Sequence, residues 1–182
     1  NKPVQTIEGW TLSENKLTLT KTYTNNTQTE GENVIIKDLV GNSTTVNVKV
    51  TNIDKVAPTT NVTYSITELT NQNVVVAIKA NEKIQTVEGW TLSEDKLTLT
   101  KTYTNNTLAE GENIVIKDLV GNSTTVNVKV TNIDKVAPTT NVAYSITELT
   151  NQNVVVAIRA NEKIQAVEGW TLSEDKLTLT KT

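Results

Sequence analysis

Hydrophobic and polar residues alternate with a period of two along most of this chain, which is the signature of half-buried strands rather than helices. The stretch Asn73–Ala80 places Val74, Val76 and Ile78 on one face and Val75, Ala77 and Lys79 on the other. Lys96–Thr104 alternates likewise, with Leu97, Leu99, Lys101 and Tyr103 opposite Thr98, Thr100 and Thr102. Asn113–Asp118 sets Ile114 and Ile116 on one side, and after Gly121-Asn122 the residues Val126, Val128 and Val130 point inward against Asn127, Lys129 and Thr131. Thr59–Ser65 reads as an opening strand after Pro58, and Ile84–Trp90 as a short one ending near Gly89. Residues 86–92 are the least regular and leave room for two shorter pieces, for a total of seven strands. Turn residues such as Asn71-Gln72, Asn105-Asn106-Thr107 and Gly121-Asn122 punctuate the runs. No stretch sustains a helical period.

The same pattern returns 80 residues later. Asp54–Thr102 recurs as Asp134–Thr182 with three changes (Thr63 to Ala143, Lys79 to Arg159, Thr86 to Ala166), and residues 1–53 recur as 81–133 with nine. The segment Asn52-Ile53-Asp54-Lys55-Val56-Ala57-Pro58, repeated at Asn132–Pro138, follows a strongly alternating strand and ends in a proline that cannot continue a central ladder. That marks the junction. Residues 54–133 then form a complete repeat, 1–53 the C-terminal part of a preceding one, and 134–182 the N-terminal part of a following one. Seven short strands with turns every ten or so residues predict an all-β fold of tandem antiparallel β-sandwich modules.

Composition narrows the chemistry. The 182 residues contain no Cys, His, Met or Phe, so the usual neutral-pH general base, thiol nucleophile and zinc ligands are missing. A module of this size builds a core without disulfides, so the lack of Cys does not argue for a reducing compartment. The net charge of −3 and the absence of a Lys/Arg block offer nothing to nucleic acid or an anionic membrane. No apolar run approaches the roughly 20 residues that span a bilayer. An enzyme is not expected: Glu88 with Glu94, or Glu110 with Glu112, could be paired as glycosidase carboxylates, but catalytic pairs are rarely stamped out once per repeat.

The motifs Asn132–Thr139 (Asn-Ile-Asp-Lys-Val-Ala-Pro-Thr), Glu88-Gly89-Trp90-Thr91, Lys101-Thr102-Tyr103-Thr104 and Asp118-Leu119-Val120-Gly121-Asn122 resemble the bacterial Ig-like tandem repeats of large extracellular surface proteins and adhesins of Gram-positive type. The resemblance implies Ig-like sandwiches and an extracellular place on the cell surface or cell wall. It also implies a stalk or spacer that projects other domains, whose partners are the neighbouring repeats of the same chain. A subunit of a self-assembling filament, joined to other copies through its incomplete end modules, is the first alternative. A carbohydrate- or host-ligand-binding module is the second.

Candidate sites are few. Asp54 and Asp134 stand at the junctions, where related arrays are stiffened by Ca²⁺. Six to eight oxygens would be required, with help from Glu30, Glu32 or Asp38, against a capped and metal-free linker as the simpler expectation. No other cofactor is expected. Asp38–Asn42 and Asp118–Asn122 read as hairpin turns with Gly or Asn at positive φ and the Asp bonded to nearby amides, because EF-hand spacing is lacking. Trp10, Trp90 and Trp170 could each stack on a sugar but are expected in the core, since Phe and Met are absent. Lys79 and Lys101 are expected in solvent rather than in Lys–Asn isopeptide bonds. The acceptor patterns at Asn25, Asn42 and Asn61 arise by chance in so Asn- and Thr-rich a chain.

Overall fold

The computed structural model describes residues 2–182, and they are all-β. Four strands precede the first junction: β1 (Thr11–Leu12), β2 (Leu19–Thr20), β3 (Glu32–Lys37) and β4 (Ser43–Val48). Six follow up to the second junction: β5 (Thr60–Tyr64), β6 (Val74–Ala80), β7 (Thr91–Leu92), β8 (Thr98–Tyr103), β9 (Glu112–Lys117) and β10 (Ser123–Val128). The rest are β11 (Thr140–Tyr144), β12 (Val156–Ala160), β13 (Thr171–Leu172) and β14 (Thr178–Lys181). The strands form several small antiparallel sheets: four-stranded β5-β6-β8-β7 and β11-β12-β14-β13, and two-stranded β1-β2, β3-β4 and β9-β10. The elements recur at the 80-residue offset, so that β1, β7 and β13 are copies of one another.

Local chemistry explains the hairpins. In β9–β10 the register puts Ile114 opposite Val126 and Ile116 opposite Thr124, which keeps the apolar residues on one face. The connection Asp118–Asn122 closes with Asp118 N–H donating to Asn122 O at 3.0 Å. Gly121 takes φ +104°, which an L side chain rarely adopts. β3–β4 repeats this arrangement, with Val34 opposite Val46.

One expected strand is not formed. In place of Ile84–Trp90 there is a single bridge from Ile84 to Asp118, then a turn in which Trp90 N–H donates to Val87 O at 3.1 Å and Gly89 has φ +75°. The ladder resumes at β7. Alternation was too weak there to reveal that Gly89 bends the backbone. β8 likewise begins at Thr98 rather than Lys96, because Lys96 sits at φ +60° in a turn held by the Asp95 carboxylate accepting from Leu97 N–H.

The chain groups into two compact units. The first comprises residues up to Thr63, Val76–Lys101 and Glu112–Val128, and the second Tyr64–Val75, Thr102–Gly111 and Lys129–Thr182. In the first, Val76, Ile78, Ile84, Leu99, Ile116 and Val128 are fully buried. In the second the buried apolar residues are Val74, Tyr103, Val130, Ile133, Ala160 and Leu179. Leu97 and Val126, expected in the core, are only half-buried. Among the described residues no helix is long and apolar enough to cross a membrane.

Candidate functional site

The segments around Ile53 and Ile133 are held by several side-chain hydrogen bonds. In the first unit, the Asn26 side chain grips Ile53 from both sides, its Nδ2 donating to Ile53 O at 2.9 Å and its Oδ1 accepting from Ile53 N–H at 2.8 Å. One residue on, Asp54 accepts from Val56 N–H at 3.1 Å, a short Asx turn that shapes the linker. Its carbonyl receives Asn122 Nδ2 at 3.3 Å. Pro58 is buried, and Thr59 exchanges two bonds with Asn81, at 2.8 and 3.1 Å.

In the second unit, Asn106 repeats the grip on Ile133 at 2.9 and 2.8 Å. Further bonds are visible there. Thr70 N–H donates to Asn132 O and Asp134 N–H to Thr70 O, both at 2.8 Å, as a short parallel bridge. Asn132 Nδ2 donates to Ile66 O and Glu68 O, and Lys135 Nζ to Asn73 Oδ1 and Thr104 O. The four residues Asn132–Lys135 are thus tied down by main chain and side chain alike.

Asp54 also meets two other carboxylates. Asp54, Glu82 and Asp118 each offer an oxygen within 4.8 Å of the others. Glu82 comes into place because Ile84 bridges to Asp118 and Gln85 Nε2 donates to the Asp118 carbonyl at 2.7 Å. No sequence pattern pointed to Glu82, whose counterpart in the preceding copy is Lys2. Asp118 is buried and heavily engaged. Its Oδ1 accepts from Val120, Gly121 and Asn122 N–H, and its Oδ2 from Asn122 Nδ2. Burial alone would push its pKa up, but the bonds from Asn122, Gly121 and Val120 hold it below the ordinary value. Loss of water around Glu82, with Asp54 and Asp118 beside it, raises the Glu82 pKa.

A divalent cation could take donors from Asp54 and Glu82 here, whereas Asp118 has most of its lone pairs committed to the turn. The oxygens suggested by the sequence lie elsewhere: Glu32 is bonded to Lys21 and Tyr23, each at 2.8 Å, and Asp38 caps its own turn through Val40 and Asn42. Asp134 joins no group of three acidic residues among the described residues.

The raised Glu82 pKa has a stability consequence. A carboxyl whose folded pKa lies above its ordinary 4.5 contributes stability below that value and loses it as pH rises through the folded pKa. Glu82→Gln is therefore expected to raise the melting temperature at pH 7 in cation-free buffer, with the gain vanishing towards pH 4. Asp118, with its lowered pKa, acts in the opposite sense, losing its stabilisation only as pH falls below its ordinary 3.8. Repeating the melt in millimolar Ca²⁺ reports on the cation, because a bound metal would turn the Glu82→Gln gain into a loss.

Trp10 and Trp90 sit beside ion pairs, and Trp170 beside a lysine. Lys101 Nζ reaches Glu112 Oε2 at 2.8 Å and lies 5.8 Å from the Trp90 ring centre. Lys101, expected in solvent, is half-buried because it shares the inward face of β8 with Leu99 and Tyr103 and carries its charge back to Glu112. Lys21 repeats this with Glu32 and Trp10, its pKa raised by the Glu32 hydrogen bond, while Lys181 lies 6.0 Å from Trp170. Trp90 is 9% exposed. Glu112 is therefore engaged with Lys101, and Glu88, Glu94 and Glu110 are exposed.

No protein-family model, curated protein or solved structure matches this chain. The reading of function rests on the repeat and on the geometry of its junctions.

Proposed function

We propose that this chain is part of a structural stalk, a run of Ig-like β-sandwich repeats of a bacterial cell-surface or secreted adhesin-like protein that holds other domains away from the cell. The observation that carries the reading is the double grip of Asn26 on Ile53, repeated by Asn106 on Ile133. A linker bonded through its own backbone loses the freedom of a Gly/Ser connection, and a spacer needs that stiffness to convert repeat number into reach. Outward rows of Thr, Asn and Lys keep the strands wet. The proposed setting is extracellular, on the surface or cell wall, without a catalytic role.

A sugar-binding module has less support. The indole that would stack on a sugar is largely covered at Trp90, and a lysine already lies near its face.

Spin labels test the stiffness directly, since the chain has no cysteine to interfere. With Cys introduced at the exposed Thr45 and Thr125, the distance distribution is expected to be single and narrow, and Asn26→Ala should broaden it. A broad distribution in the unmodified chain would exclude a stiff spacer.

A further inference from the structure

A spacer held at both ends carries tension, and the load enters a repeat where its chain begins and leaves where its chain ends. In the repeat 54–133 the relevant stretches are residues 64–73, which start at the end of β5, and residues 129–135, which follow β10. Both belong to the second compact unit, and they meet. Lys129 N–H donates to the Tyr64 hydroxyl at 3.4 Å. Asn132 Nδ2 donates to Ile66 O at 3.1 Å and to Glu68 O at 2.8 Å. Thr70 pairs with Ile133 in a parallel bridge, with Thr70 N–H donating to Asn132 O and Asp134 N–H to Thr70 O, each at 2.8 Å. Lys135 Nζ reaches Asn73 Oδ1 at 2.7 Å. Partners rise together along the two stretches, which therefore run side by side in the same direction.

That direction decides how force acts on them. Tension draws residues 64–73 towards the start of the chain and residues 129–135 towards its end. For parallel neighbours the two pulls are opposed along one line, so the stretches are driven to slide past each other. A sliding pair loads its bonds together, whereas a pair peeled from one end loses them one at a time. We infer, resting on the stalk reading above, that this pair is a mechanical clamp that keeps the repeat folded under tension along the chain.

Asn132 is its centre, because its carbonyl accepts from Thr70 while its side chain ties Ile66 and Glu68. Other contacts also resist sliding. Val130 and Ile133 are buried apolar side chains, and moving the outgoing stretch would draw them into water. Asn106 holds Ile133, and Thr107 holds Val130, each by side-chain bonds to both the N–H and the carbonyl. The Lys135 ammonium adds charge-assisted bonds to Asn73 and to Thr104 O.

Single-molecule pulling on the full chain tests this, since forced unfolding reads the unfolding rate along the pulled direction. With handles at the two chain ends, the repeat is expected to hold until one abrupt event. That event releases the residues between Thr70 and Asn132, about 200–220 Å of contour at 3.3–3.6 Å per residue. Handles moved to Asn71→Cys and Asp134→Cys, each one residue beyond the Thr70–Ile133 bridge, draw the stretches apart sideways. The rupture force is then expected to fall severalfold. Asn132→Ala should lower the end-to-end force markedly and the sideways force much less. Lys135→Met replaces it where circular dichroism shows Asn132→Ala to be unfolded. Equal forces in the two geometries, or a loss by the same factor in both, overturn the clamp. Release of the repeat in several small end-to-end steps does so too. The spin labels read stiffness separately: a narrow distance distribution with weak end-to-end rupture sinks the clamp alone, and a broad one with strong rupture sinks the stiff spacer alone.

Discussion

Trp90→Ala is expected to cost about 3–5 kcal/mol of unfolding free energy, measured by urea denaturation followed by circular dichroism. The indole is 9% exposed, and its removal leaves a void in a unit whose core side chains, Leu99 and Ile84 among them, have no accessible surface. The Lys101 ammonium would lose the ring it lies near and depend more heavily on Glu112. Stability unchanged by the substitution, together with loss of binding to a glycan, would shift the reading from stalk to sugar-binding module.

A second large effect is expected at Ile116, and its copy at Ile36 supplies an internal control. Ile116 is fully buried, so Ile116→Ala should cost about 2–5 kcal/mol. Ile36 occupies the same place in β3, where Val34 and Ile35 stand for Ile114 and Val115, but lines a concavity and is only half-buried. Less transfer free energy is at stake and no closed cavity is left behind, so Ile36→Ala should cost about half as much or less in dilute solution. Equal costs for the two substitutions would show that Ile36 is as well covered as Ile116 in solution.

Much of this architecture was legible in the residues. Period-two alternation located β6, β9 and β10 to within a residue or two, because each has one face in contact with apolar neighbours and the other in water. The Asp118–Asn122 turn was legible for a similarly local reason: a short polar side chain followed by Gly is what the hairpin needs, and both act within five residues. Failure came where the governing interaction was distant or the pattern mixed. Ile84–Trp90 looked like a strand, yet Gly89 turns the backbone and only Ile84 is paired. Lys101 looked like a solvated lysine at a strand end, but Glu112, eleven residues along the chain, draws it inward.

The sequence by itself determined the period of 80 residues, the all-β class and the main turns, because these follow from direct repetition, local alternation and turn chemistry. Only the tertiary structure decided which groups meet across the chain. It brought Asp54 to Glu82 and Asp118, residues 28 and 64 positions further on, and it closed Asn26 on Ile53. These contacts join residues far apart along the chain, which local alternation and turn chemistry do not encode.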